Sequence, residues 1–198
     1  LDLIAGLPYE NLESFKKSFN DVYRLRPQQF QLGFLKVLKG SKMHEKAGEY
    51  GIVYHTRPMY EVLSTNWLTY DEVIYLKGIE EMVEVYYNSC QFRCTMRALE
   101  AEFNTPFAMY EALAEYYEEN ALNGLKHSRM GRFDILHDFI LSYVKKEHAP
   151  KYEDDLLMDL YLREKSKSRP SWAADLSGYK SEIQEFFRKE AEEKRYLK

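Results

Sequence analysis

The sequence predicts a mainly α fold: a helical C-terminal domain preceded by a short βαβ unit. Three observations carry that reading. Apolar residues recur at three- and four-residue spacing, as in Leu12, Phe15, Phe19, Val22 and Leu25. Helix starts are legible in Thr69-Tyr70-Asp71-Glu72, a capping box, and in Thr105-Pro106, a cap followed by proline at the first helical position. Strand-like runs fall before Gly40, apart from the short ambiguous segment Gly51–His55.

In chain order, Leu1–Ala5 reads as a buried strand closed by Gly6-Leu7-Pro8, and the helix that follows is stopped by Pro27. Phe30–Leu38 reads as a second strand, and strand, helix and strand together make a parallel βαβ unit. One such unit cannot bury both faces of its sheet, so further strands are expected from elsewhere. A long helix should run from the Thr69 cap to about Asn88, another over Phe92–Phe103, and a third from Pro106 to Asn123-Gly124. Phe133, Leu136, Phe139, Ile140, Tyr143 and Val144 mark a helix that ends before Pro150; Leu156, Leu157, Leu160 and Tyr161 mark the next. Tyr179, Ile183, Phe186 and Phe187 begin a last amphipathic helix. Two domains are expected, residues 1–50 and 51–198, with the polar, proline-bearing stretch 165–171 as a linker.

Of 198 residues, 45% are hydrophobic, which is ample for a buried core and excludes disorder over most of the chain. The balance of 28 basic and 32 acidic residues leaves no excess for binding a phosphate backbone, so no nucleic-acid partner is expected. No apolar run approaches the roughly 18–20 residues of a membrane span, and a cytoplasmic protein without membrane association is the default. Two cysteines, Cys90 and Cys94, are too few for a disulfide framework. The chain does not open on Met and its first residues already read as a strand, so a fragment of a longer protein is expected.

Asp2-Leu3-Ile4-Ala5-Gly6-Leu7-Pro8-Tyr9-Glu10 resembles a late strand and loop of the radical SAM barrel, with its pattern D-[LI]-I-x-G-[LF]-P-x-E. Gln31–Ser41 resembles the next strand and its glycine turn. Met59–Asn66 and Tyr86-Tyr87-Asn88-Ser89 are similar to the helical C-terminal domain of unknown function in one branch of the cobalamin-binding-domain radical SAM proteins. The resemblance implies a C-terminal portion of an iron–sulfur oxidoreductase or cobalamin-dependent methylase. Such a portion completes the barrel, caps or shapes the substrate site, and is inactive alone. The intact protein would use a [4Fe–4S] cluster and S-adenosylmethionine, with cobalamin left open. This chain lacks the C-x3-C-x2-C loop that holds the cluster, so no cofactor is expected to be bound by it alone. Its implied partners are the upstream barrel of the same polypeptide and an unidentified substrate, and its exposed barrel face could drive artificial dimerisation.

By the same resemblance, Ile4, Gly6, Leu7 and Pro8 form part of an S-adenosylmethionine pocket, with Gly6 admitting close backbone approach. The ordinary alternative is a strand-to-helix turn. Lys36, Lys39, Lys42 and His44 cluster around Gly40 and could meet a substrate carboxylate or phosphate; the alternative is a solvated strand end. Cys90 and Cys94 have C-x3-C spacing, but Arg97 stands where a third thiolate would be required, and two half-buried free thiols are the plainer reading. Asp134, His137 and Asp138, near His127, are the densest set of possible metal ligands, yet no ligand motif accompanies them and a solvated helix face is expected, with no catalytic or metal residues assigned. The rival function is a stand-alone helical interaction module with an aromatic face built from Tyr86, Tyr87, Tyr116, Tyr117, Trp67 and Trp172.

Overall fold

The computed structural model describes residues 1–163 and 169–195. It is mainly α, as the sequence predicts. The elements fall into two compact units that divide between residues 164 and 165. Residues 165–168 of the expected linker lie outside the described residues.

The first unit opens with β1 (Asp2–Ala5), α1 (Leu12–Arg24) and β2 (Gln31–Phe34). The two strands pair in parallel, Asp2 opposite Gln31 through Ala5 opposite Phe34. Asn11 caps α1 in a reciprocal arrangement with Ser14, its Oδ1 accepting from Ser14 N at 2.9 Å. Phe15, Phe19 and Tyr23 form the buried stripe of α1. Phe19 is the hub of this region. Its ring centroid lies 4.9 Å from Phe30, 5.2 Å from Phe107 and 5.8 Å from Tyr110, so the helix, the entry to β2 and a later helix share one aromatic core. Truncating such a ring costs roughly 3–5 kcal/mol.

The expected strand Phe30–Leu38 changes partner part-way. Beyond Phe34 it pairs with a different segment: Val62 N donates to Leu35 O and Val37 N to Tyr60 O, both at 2.8 Å, with an antiparallel bridge between Lys36 and Glu61. A one-turn helix, α2 (Lys42–Glu45), and a small hairpin of β3 (Val53–Tyr54) and β4 (Val62–Ser64) then lead into the helical part.

α3 (Tyr70–Val83) starts at the Thr69–Glu72 capping box and runs into a π-helical turn, Glu84–Asn88. α4 (Arg93–Leu99) continues as a 3-10 turn, Glu100–Glu102. α5 (Pro106–Glu119) begins at the Thr105 cap and stops at Asn120, short of the expected Asn123-Gly124. α6 (Arg129–Tyr143) and α7 (Ala149–Arg163) complete the unit. Pro150 opens α7 instead of merely ending its predecessor, because the first turn of a helix has no use for the missing N–H.

Two buried polar contacts hold the helices in register. Asp159 of α7 accepts from Cys94 N at 2.9 Å, Thr95 N at 2.8 Å and Thr95 Oγ1 at 2.8 Å, so a carboxylate from one helix satisfies the open N-terminus of another. Tyr86 and Tyr117 join hydroxyls at 2.8 Å in the core.

The second unit, described from Arg169, contains a 3-10 turn, Ser177–Tyr179, and α8 (Lys180–Glu193), which carries Ile183, Phe186 and Phe187 as expected. No helix among the described residues is long and apolar enough to cross a membrane.

Candidate functional site

β1 ends at Gly6, whose φ of +86° is closed to most side chains. A Cβ here would lie 2.8 Å from Val62 Cγ1, so the space beside this glycine is filled by β4. Leu7 is exposed and Pro8 half-buried. Tyr9 follows in the left-handed region at φ +68°, and its ring packs against Trp67 with centroids 4.7 Å apart and planes tilted by 52°. Burial pushes the Glu10 carboxyl up from its usual range, with the Ser18 hydroxyl opposing that shift. Its Oε2 is buried without a hydrogen-bond partner.

The two faces of the β1–β2 pair differ. Ala5, Leu32 and Phe34 are buried, whereas Asp2, Ile4 and Gln31 on the opposite side are exposed. A trough of about 950 Å³ lies along these strands. Ile4 and Gly33 contribute to its floor, and Lys36, Glu61, the α3 residues Lys77, Glu80 and Glu81, and Glu84 of the π-helical turn to its wall. The Lys77 ammonium pairs with Glu61 and sits 4.7 Å over the Phe34 ring. Burial, then the neighbouring Glu84 carboxylate, push the Glu80 carboxyl up. An apolar floor beside a wall of both charges can hold an extended ligand or receive another layer of polypeptide.

Of the residues that the sequence nominates, Ile4 and Lys36 meet in this trough, and Gly6, Leu7, Pro8, Lys39 and His44 are not among its lining. Lys39 instead reaches the Tyr60 ring at 5.8 Å, and His44 faces Tyr54 edge-on at 6.3 Å. Sequence reasoning missed the wall from α3. Its signal was present: Lys77, Glu80, Glu81 and Glu84 share one helix face at three- and four-residue spacing.

Residues 48–198 match the family described as "Protein of unknown function (DUF4080)". The chain belongs to the DUF4080 family. Among curated proteins none matches it. The βαβ unit, with β1 and β2, precedes the matched residues, and the trough is shared: its floor lies before residue 48 and the α3 wall within the DUF4080 match.

Other nominated residues of this DUF4080 protein serve packing. Cys90, at φ +55°, precedes α4, while Cys94 lies within it; both thiols are free and half-buried. Burial, then Asp159, push the Cys94 thiol up, the reverse of what a thiolate ligand needs. With Arg97 on the next turn of α4 in place of a third cysteine, this pair does not fit a cluster-binding loop. His137 corrects the expectation of a solvated face. It is buried, its Nε2 3.1 Å from Glu153 Oε1, because α7 packs against that side of α6. Tyr86 and Tyr117 are likewise core residues, which removes them from the aromatic face of an interaction module.

Proposed function

We propose that this DUF4080 protein is the C-terminal part of a radical SAM iron–sulfur oxidoreductase or cobalamin-dependent methylase acting in the cytoplasm, where it completes the barrel and caps the substrate side. One observation carries the reading. Asp2–Glu10, the stretch that resembles the radical SAM barrel, forms a parallel strand and its strand-end turn within a βαβ unit, and one face of that unit is open. Parallel sheets occur almost only with both faces covered, so an open face calls for more of the same barrel.

In the intact enzyme, a [4Fe–4S] cluster would be held by cysteines outside this chain and, when bound, would supply the electron for reductive cleavage of S-adenosylmethionine. The residues of this chain bind and enclose. Ile4 and Leu7, both with exposed side chains, offer apolar surface to an adenine ring at the strand end. Gly6 serves that pocket through its backbone turn, since Val62 occupies its open side. Lys36 offers a cationic point to a substrate carboxylate or phosphate, and the α3 wall excludes water from one side of the trough.

Anaerobic purification of the full natural polypeptide beside this chain, with iron, acid-labile sulfide and cobalamin measured in both, tests the reading. The expected result is about four irons per parent molecule and none in this chain. No iron in either sample rejects it.

A further inference from the structure

We infer that the trough is a peptide groove, in which an extended peptide lies along β2 and sets a lysine or arginine side chain against Glu80, Glu81 and Glu84. The inference deepens the proposed function by naming the substrate class, and rests on it for the trough being the substrate side.

The peptide groups of β2 offer the main-chain contacts. Gln31 N donates to Leu1 O and Leu35 N to Ala5 O, both at 2.9 Å. Backbone groups alternate in direction along a strand, so Gln31, Gly33 and Leu35 face β1 while Phe30, Leu32 and Phe34 turn their N–H and C=O to the outer edge. The Asn88 amide takes both groups of Phe30, each at 2.9 Å. Those of Leu32 and Phe34 have no backbone partner among the described residues. They offer an extended main chain the pairing that Asn88 already makes at Phe30.

Gly33 points to close approach. It stands opposite Ile4 on the open face, where the Ile4 side chain is 43% exposed. A Cβ at Gly33 would meet only Leu3 O, at an ordinary 3.9 Å, and its φ is not left-handed. Nothing within the chain therefore requires glycine here, although glycine weakens a strand; bare backbone is what a close-lying ligand needs. α1 packs on the opposite face, with Phe19 4.9 Å from Phe30 between ring centroids. The helices of such barrels lie outside, so the open face is the one turned to the substrate.

Charge selects the ligand. Five carboxylates line the trough against Lys36 and Lys77, and Lys77 is already paired with Glu61. Glu80 and Glu81 of α3 and Glu84 of the π-helical turn span about 6 Å of helix, within reach of one basic side chain. Burial and the Glu84 carboxylate push the Glu80 carboxyl up, and a ligand cation offsets that shift. Lys36 remains for a carboxylate of the same peptide. A free polyamine would use the carboxylates alone and leave the β2 edge unpaired, so the geometry favours a peptide.

Selection of random short peptides, displayed on phage, on the intact polypeptide tests this, with the enriched sequences then labelled with fluorescein and titrated by anisotropy. Lysine or arginine is expected to be enriched, and its replacement by glutamate in the peptide to weaken binding at least about 10-fold. Glu80→Gln combined with Glu81→Gln should shrink that preference to within about 3-fold. Gly33→Val should bind none of these peptides while unfolding in urea at no lower midpoint than wild type. Lack of basic enrichment overturns the inference, as do peptides that bind these variants as tightly as wild type. A lower midpoint for Gly33→Val returns the glycine to the fold and also overturns it. A thermal shift with spermidine but no enriched peptide gives the trough to a free polyamine instead. Iron measured in the same samples separates the two ideas: basic enrichment without iron keeps the peptide groove and removes the radical SAM reading, whereas iron without enrichment removes the groove alone.

Discussion

Asn88 treats the backbone of Phe30 as a neighbouring strand would. Its Oδ1 accepts from Phe30 N at 2.9 Å and its Nδ2 donates to Phe30 O at 2.9 Å. The π-helical turn at the end of α3 carries both this side chain and Tyr87, whose hydroxyl donates to Pro27 O at 2.5 Å. The helical domain thereby grips the loop that feeds β2, which ties the family-matched residues to the βαβ unit. Asn88→Ala leaves both peptide groups of a buried residue unpaired and should cost about 2–4 kcal/mol in urea unfolding. Asn88→Asp should also destabilise, because a carboxylate cannot donate to Phe30 O and is repelled by Glu84, which now accepts from Asn88 Nδ2 at 2.6 Å. A loss below about 0.5 kcal/mol in both variants would reject the grip.

Gly6 combines a positive φ with the close approach of Val62. Gly6→Ala should cost about 2–3 kcal/mol, from left-handed strain and from the methyl contact together. Val62→Ala added to Gly6→Ala relieves only the contact, so a double-mutant cycle should show a favourable coupling of about 1 kcal/mol. Additive losses would mean that the chain bends away from the new methyl and that Val62 does not hold the loop.

What the sequence made legible were features written in local patterns. Thr69 with Glu72, and Thr105 with Pro106, mark helix starts at the residues where α3 and α5 begin, because capping depends on neighbours three residues apart. The parallel pairing of β1 with β2 follows from the length of α1 between them. The hairpin of β3 and β4 was not legible, since two or three residues cannot establish a period of two. The trough was half legible: Ile4 and Lys36 were nominated, but the α3 wall becomes a wall only when tertiary packing sets it beside β2. His137 misled for the same reason, its burial being imposed by α7 and not by its own helix.

Asp159 links the N-terminus of α4 to α7, and its charge also acts on a thiol. Asp159→Asn keeps the size of the side chain but weakens three hydrogen bonds to a charged acceptor, with an expected loss of about 2–4 kcal/mol. The same substitution should bring the Cys94 thiol pKa down, though not fully to its ordinary value, because burial is the larger cause of its rise. The rate of Cys94 alkylation against pH, with Cys90→Ser as background, reads this directly. An unchanged profile would show that the carboxylate does not act on the sulfur.

Tyr152 gives the fold an alkaline limit. Its hydroxyl donates to Glu102 Oε1 at 2.6 Å, and burial, then this carboxylate, push its pKa up from 10.0 to about 12. A group that binds its proton more tightly when folded stabilises the fold fully below its unfolded pKa, and that contribution is lost as pH rises through the folded value. The loss should therefore fall between pH 10 and about 12, where wild type gives up the hydrogen bond and gains a repulsion between phenolate and carboxylate. Tyr152→Phe lacks both. At pH 8 it should be less stable than wild type by about 1 kcal/mol, and the gap should close as pH rises across that window. Thermal unfolding of the two proteins at pH 8, 10 and 11.5 distinguishes this from a purely steric effect, which would leave the gap constant.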